Sequence, residues 1–246
     1  MDSLEFIFLI LAGSLTAFLP VIASLVIWRR WGISPRIMAI AAAGYVGTQA
    51  AILFSIIGAN IALPISSNML VSVTFLGFLS AAMDDAGKYL LLRNLLKDVR
   101  DHRKAIAFSV GWFLLQAVLI GVALSASTMA AQAMTAVDVS TLNASQDIID
   151  SYSYIKEQSE QMSYADGIEA LMMVLSGFCM QAFWTICVMW SIKDSDKRLF
   201  GLAVGTHWAV NVAVTLAAAQ MSVILAPMYL LMGLAAVAGA RRLKLK

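Results

Sequence analysis

Charge is scarce in this chain: Asp, Glu, Lys and Arg make up 13% of its 246 residues, whereas hydrophobic residues make up 61%. A soluble domain of this size has too little interior to bury that much apolar surface. Cysteine is scarce too, since the chain has only Cys179 and Cys187, which would lie about two helical turns apart in one apolar segment. Zinc-type cysteine pairs, a glycine-rich phosphate loop and a nucleophile elbow are all missing. These absences exclude the common soluble enzymes and favour an integral membrane protein.

Seven apolar runs are each long enough to cross about 30 Å of hydrocarbon as a helix. They cover residues 4–28, 37–59, 68–92, 105–127, 168–190, 199–220 and 222–240. We therefore predict an all-α, polytopic membrane protein in which residues 1–246 form a single transmembrane domain of about seven helices. A six-span alternative would merge the last two helices across the short link at 219–221 and put the two ends of the chain on the same side.

Basic residues predict the orientation of these helices. Fifteen of the seventeen Lys and Arg residues lie in four segments: RRWGISPR, RNLLKDVRDHRK, KDSDKR and RRLKLK. With seven crossings, all four segments fall on one side of the membrane. Because cytoplasmic loops are enriched in Lys and Arg, we expect the N-terminus outside and the C-terminus in the cytoplasm.

The longest polar segment, residues 128–167, would then lie on the extracytoplasmic side. It contains six acidic residues against the single base Lys156. Its sequence IIDSYSYIKEQSEQMSYADGI is amphipathic, so we expect a partly helical loop that lies on the membrane surface or caps the bundle. A solvated linker is the alternative.

Two adjacent carboxylates, Asp84 and Asp85, interrupt the third apolar run. Each costs about 2.5–3.5 kcal/mol to insert into hydrocarbon, so intramembrane carboxylates indicate a functional site with a charged or polar partner. The candidate partners are Lys88 and His207. Counting inward from the basic flanks puts both aspartates, His207 and Trp112 about 10–12 Å deep on their helices, in one layer. The sequence does not give helix rotation, so it predicts a common depth but no contacts.

These polar residues have two interpretations. Asp84 and Asp85 lie four and three residues before Lys88, so one aspartate could pair with Lys88 while the other takes a proton, as a structural staple. Alternatively, carboxylates and His207 could surround Zn²⁺ and leave a position for water. A lone histidine in an apolar helix is more often a hydrogen-bonded packing residue than a metal ligand, so this alternative stays open for His207. Asp84 and Asp85 cannot by themselves form an aspartyl-protease dyad, because adjacent residues of one helix point about 100° apart.

Three segments resemble a known family of membrane proteins. They are LTAFLPVIASLVIWRRWGISPRIMAIAAAGYVGTQAAIL, then GFLSAAMDDAGKYLLLRNLLK, where the family has a Glu-Glu pair before a basic residue, an aromatic and an Arg, and finally THWAVN, similar to the family's HxxxN motif. On these segments the chain resembles the YhfC-type membrane proteins, a group related to the PrsW and CPBP (Abi) intramembrane metalloproteases. The resemblance covers most of the chain and implies a multi-pass protein of the bacterial cytoplasmic (inner) membrane.

The resemblance also implies roles for individual residues. Asp84 and Asp85 would be the catalytic carboxylates, and His207, Asp85 and Cys179 would be the ligands of a Zn²⁺ ion. The polar residues that would support this site are Lys88, Arg93, Gln116 and Asn211.

Two helices depart from the family pattern. Where the family has Gly-His followed four residues later by Glu, this chain has Trp112 and Gln116, and where a further His is expected it offers only Cys179. Trp in place of His removes a ligand and fills the space where water would lie. We therefore expect a catalytically degenerate scaffold that binds a membrane helix or peptide partner and no nucleic acid. The alternatives are an active zinc-dependent intramembrane protease and a small-solute or proton-coupled transporter.

Overall fold

In a computed structural model that describes residues 3–62, 69–135, 145–160, 162–220 and 225–244, the chain is helical and has no strands. Its helices in chain order are α1 (Ser3–Trp31), α2 (Pro35–Ala62), α3 (Met69–Asn94), α4 (His102–Thr135), α5 (Gln146–Glu160), α6 (Tyr164–Lys193), α7 (Lys197–Gln220) and α8 (Leu225–Lys244). The all-α class predicted from composition is therefore confirmed.

Six stretches of these helices are long and apolar enough to cross a membrane. They are Ser3–Trp31, Pro35–Gly58, Leu70–Asn94, His102–Met134, Tyr164–Lys193 and Lys197–Leu216. Large apolar side chains on them, such as Phe18, Phe54 and Leu119, are exposed, as lipid-facing residues would be. The protein is thus a multi-pass helical membrane protein.

The predicted seventh span, 222–240, corresponds to α8. The link before it, residues 221–224, lies outside the described residues, and within α8 the apolar stretch Leu231–Ala240 is shorter than a membrane crossing. The seventh crossing and the orientation of the ends remain predictions. In the segment predicted to be an acidic loop, α4 continues to Thr135 and α5 covers Gln146–Glu160.

Local sequence determines how several helices begin and end. After α1, Gly32 has a φ of 64° and its N–H donates to Trp28 O at 3.0 Å, a conformation that glycine adopts without steric cost. Ser34 Oγ then accepts from the Arg36 N–H, and Pro35 opens α2 at the position where no donor is needed. Asp101 in the same way accepts from the Lys104 N–H at the start of α4. These caps fix where the chain turns back into the next apolar helix.

The chain divides into two compact units. One comprises Met1–Leu19 and Gln116–Val174, and the other comprises Pro20–Leu115 and Leu175–Lys246. In the first unit, α1 and α4 approach closely at two glycines, because a Cβ on Gly121 would overlap the backbone of Gly13 and lie 2.5 Å from Ala17 N. In the second unit, α3 packs mainly against α7 and α2. The second unit holds the buried polar residues predicted to form a site.

Candidate membrane-embedded ion cluster

Three residues of α3 form the centre of the site. Lys88 Nζ lies 2.6 Å from Asp84 Oδ2 and 2.7 Å from Asp85 Oδ1. This contact follows from the sequence, because residues three and four positions apart lie on one face of a helix. Lys88 and Asp85 are fully buried and Asp84 is 3% exposed. The lysine ammonium therefore bridges both carboxylates, whereas the staple interpretation predicted that only one would be paired.

α7 adds His207 to this centre. Its Nδ1 lies 3.3 Å from Asp85 Oδ2 and 3.8 Å from Asp84 Oδ2. The Trp184 ring of α6 stacks on the imidazole with ring centroids 3.8 Å apart and an interplanar angle of 13°. Trp184 is held in place by its own N–H, which donates to Thr206 Oγ1 at 3.1 Å. One face of His207 is thus covered by an aromatic ring.

Trp112 of α4 covers another side of this centre. This residue is fully buried, and its Nε1–H donates to Asp84 Oδ1 at 3.0 Å. Phe108 stacks on the same indole and Tyr45 meets it edge-on. Lys88 Nζ lies 5.7 Å from the Trp112 ring centroid and 5.5 Å from that of Trp184, within the range of a cation–π attraction. The ammonium is therefore enclosed by two carboxylates and two indoles.

A small residue makes this enclosure possible. Gly87 precedes Lys88, and a Cβ there would overlap the Thr48 hydroxyl of α2 and lie 3.2 Å from Trp112 Cη2. Because Gly87 has no side chain, α2 and the Trp112 ring can approach α3 closely. We call Asp84, Asp85, Lys88, Trp112 and His207 the ion cluster.

Asp84, Asp85 and His207 could together hold a metal ion, since one ligand atom from each lies within 4.8 Å of the others. Two carboxylates and an imidazole are also a ligand set that zinc accepts. Lys88 does not fit such an ion, however, because its ammonium already contacts both carboxylates. A divalent cation beside this ammonium would be repelled by it in a low-dielectric interior. With the side chains in these positions, Lys88 is the cation of the cluster.

The other predicted site residues lie elsewhere. Cys179 is half-buried on α6 and is not part of the group of ligand atoms. Gln116 belongs to the other compact unit. Asn211 Nδ2 donates to Gly77 O of α3 at 3.4 Å, and the exposed Arg93 donates to the Tyr89 hydroxyl at 3.2 Å.

Sequence reasoning missed Trp184. In the segment SGFCMQAFWTIC the sequence offers Cys179 as the nearest metal-capable side chain and gives no reason to single out Trp184. Trp184 is 4% exposed and contacts the only histidine of the cluster. The depth of Trp184, nine residues before Lys193, was the available signal, but its contact with His207 depends on helix rotation, which the sequence does not give.

Comparison with known proteins gave one match. A family model described as YhfC intramembrane metalloprotease matches residues 15–232, which include every residue of the ion cluster. No curated protein and no solved structure matches the chain.

Proposed function

Because the chain belongs to the YhfC intramembrane metalloprotease family, we propose that it is a catalytically silent member of that family, a membrane scaffold that binds an apolar partner helix. Its ion cluster would serve to hold α3, α4 and α7 together. Its function would be to present a lipid-facing groove between α3 and α7.

The observation that carries the proposal is the position of Lys88. Its ammonium contacts Asp84 and Asp85 at 2.6 and 2.7 Å and is fully buried. A hydrolytic site needs a carboxylate that is free to accept a proton from water and an open position for that water. Here both carboxylates contact the same internal cation, which occupies the position between them that a water would need, so neither requirement is met.

The two tryptophans support the same conclusion. Trp112 donates to Asp84 at 3.0 Å and Trp184 lies flat on His207. Both indoles are at most 4% exposed. They occupy space beside the carboxylates and the imidazole that a substrate peptide bond would need to enter.

The proposed partner surface is a cavity of about 480 Å³ between α3 and α7. It is lined by apolar side chains and one threonine: Leu70, Val71, Thr74, Phe75, Phe78 and Trp208. Trp208 follows His207 directly, and its Nε1–H donates to Thr74 O at 3.0 Å. The ion cluster and the groove are therefore both formed by α3 and α7. The contacts of the cluster would fix the relative position of these two helices and so the width of the groove. In a bilayer, an apolar groove of this kind suits the side chains of a transmembrane helix.

Photo-crosslinking tests this function. A photoreactive phenylalanine analogue at Phe75, inside the groove, is compared with the same analogue at Leu90, which is on the same helix, 58% exposed and outside the groove. In native membranes we expect one polypeptide adduct of defined mass at position 75 and lipid adducts at position 90. Lipid adducts alone at both positions would contradict the scaffold function.

An active zinc-dependent protease is the second candidate. It is favoured by the proximity of the ligand atoms of Asp84, Asp85 and His207. This candidate requires Lys88 to leave the carboxylates. It predicts that a strong chelator lowers the thermal unfolding temperature of the purified protein, whereas a cluster whose cation is Lys88 is insensitive to chelation.

A further inference from the structure

A second cavity is lined by none of the residues of the ion cluster. It has a volume of about 460 Å³ and is formed by the end of α3, the end of α6 and the beginning of α7. Two cations, Arg93 and Lys197, are among its lining residues, together with Tyr89, Ser191 and Phe200. No carboxylate is among the lining residues.

The two cations are not paired with an acidic residue in the part of the chain that the structure describes. Among the described residues, neither Arg93 nor Lys197 has a carboxylate within 4 Å, although other surface bases such as Lys104 do. Arg93 uses one N–H for the Tyr89 hydroxyl and has four others to offer. The nearby Asp196 instead caps α7, since its Oδ1 accepts from the Arg198 N–H at 2.9 Å. The cavity thus combines two positive charges with free donors.

The cavity also has apolar walls. Tyr89 and Phe200 meet edge-on with ring centroids 5.5 Å apart and form one wall. Three apolar spans end or begin here: Leu70–Asn94, Tyr164–Lys193 and Lys197–Leu216. The cavity therefore lies where the hydrocarbon of a bilayer gives way to its headgroups. Basic pockets in this position bind lipid phosphates, and the fork of an arginine matches phosphate oxygens.

We propose that this cavity is a binding site for the phosphate group of an anionic ligand at the membrane surface, with Arg93 and Lys197 as the residues that bind it. Arg93 would donate to two phosphate oxygens, and Lys197 would supply the second charge. The site depends neither on the state of the ion cluster nor on the proposed scaffold function.

The probes are short-chain phosphatidylglycerol, the matching diacylglycerol without phosphate, and inorganic phosphate. Binding to the full-length protein in neutral detergent is measured by native mass spectrometry and by the thermal unfolding shift. We expect saturable binding of phosphatidylglycerol that Arg93→Gln and Lys197→Gln each weaken by about tenfold, the effect of one lost charge-assisted contact. Arg198→Gln is the matched control, because Arg198 is exposed in the first turn of the same helix but does not line the cavity.

The competition arm identifies the source of the phosphate. If inorganic phosphate displaces the lipid, the phosphate group alone is recognised; if it does not, the acyl chains against Tyr89 and Phe200 contribute, and the ligand is a lipid. Equal binding of diacylglycerol, or an equal loss in Arg198→Gln, would overturn the proposal. If Arg93→Gln does not fold, Lys197→Gln still decides the outcome, since Lys197 is exposed at the beginning of a helix.

Discussion

At the scale of single residues, the position of Lys88 determines the chemistry of the ion cluster. A lysine usually extends to water, but this one is fully buried and contacts Asp84 and Asp85. Burial of an isolated charge costs free energy. In this contact the opposite charges attract each other, and this attraction offsets the cost of their desolvation. Because Lys88 lies between the two carboxylates, it reduces the repulsion between Asp84 and Asp85 at adjacent positions of one helix.

Removal of Lys88 is predicted to be costly. Lys88→Met leaves two buried carboxylates without their cation, and we expect a loss of about 3–5 kcal/mol in unfolding free energy. Asp85→Asn should cost much less, because Asp84 still pairs with Lys88 and the amide can still bond His207. Denaturation of both purified variants at neutral pH measures the difference. Tolerance of Lys88→Met together with collapse of Asp85→Asn would refute the role assigned to Lys88.

At the scale of helices, close approach through glycine positions the site. A Cβ at Gly111 of α4 would lie 2.6 Å from Met38 Cα and 2.7 Å from Met38 C, which are backbone atoms of α2. One residue further on, Trp112 points into the ion cluster. The packing of α4 on α2 therefore sets how deeply the indole reaches toward Asp84.

Gly111→Ala is accordingly predicted to destabilise the protein although alanine favours helices. The added methyl can be accommodated only by a backbone shift, at a cost of about 1–3 kcal/mol. Gly201→Ala on α7 is the matched control, because no atom lies within 4 Å of its Cβ position, and it should stabilise by up to about 1 kcal/mol. Thermal unfolding of both variants is the measurement. Equal effects would mean that the α2–α4 contact is not close.

Part of this arrangement could be predicted from the sequence. Counting residues inward from the basic flanks correctly brought Asp84, Asp85, Trp112 and His207 to one depth, because helical rise is constant. The contacts could not be predicted, because the rotation of each helix depends on packing partners. For that reason the sequence does not indicate Trp184, and it leaves open whether Lys88 pairs with one aspartate or with both. Asn211 shares a face with His207, yet it bonds the backbone of α3.

At the scale of the whole molecule, the unequal distribution of Lys and Arg predicts the topology. Six helices are long and apolar enough to span the bilayer, and α8 includes the C-terminal basic segment RRLKLK up to Lys244. If α8 crosses as a seventh span, the basic segments lie together on the cytoplasmic side. The acidic helix α5 would then lie outside.

Topology can be measured directly. A reporter fused after Lys246 should be active in the cytoplasm, and a tag inserted at Ser151 of α5 should react with reagents added outside the cell. Protection of the Ser151 tag in intact cells, with labelling after lysis, would contradict the predicted orientation.

The metal content of the protein tests the central claim most directly. Detergent-purified wild type, His207→Ala, Asp85→Ala and Lys88→Met are each incubated with zinc, desalted, checked for folding and compared by inductively coupled plasma mass spectrometry. If Lys88 is the cation of the cluster, wild type holds no stoichiometric metal, whereas Lys88→Met gains it, because Asp84, Asp85 and His207 then provide free ligand atoms within 4.8 Å of one another. Near-stoichiometric zinc in wild type that both alanine variants lose would contradict a silent scaffold and identify a metalloprotease site.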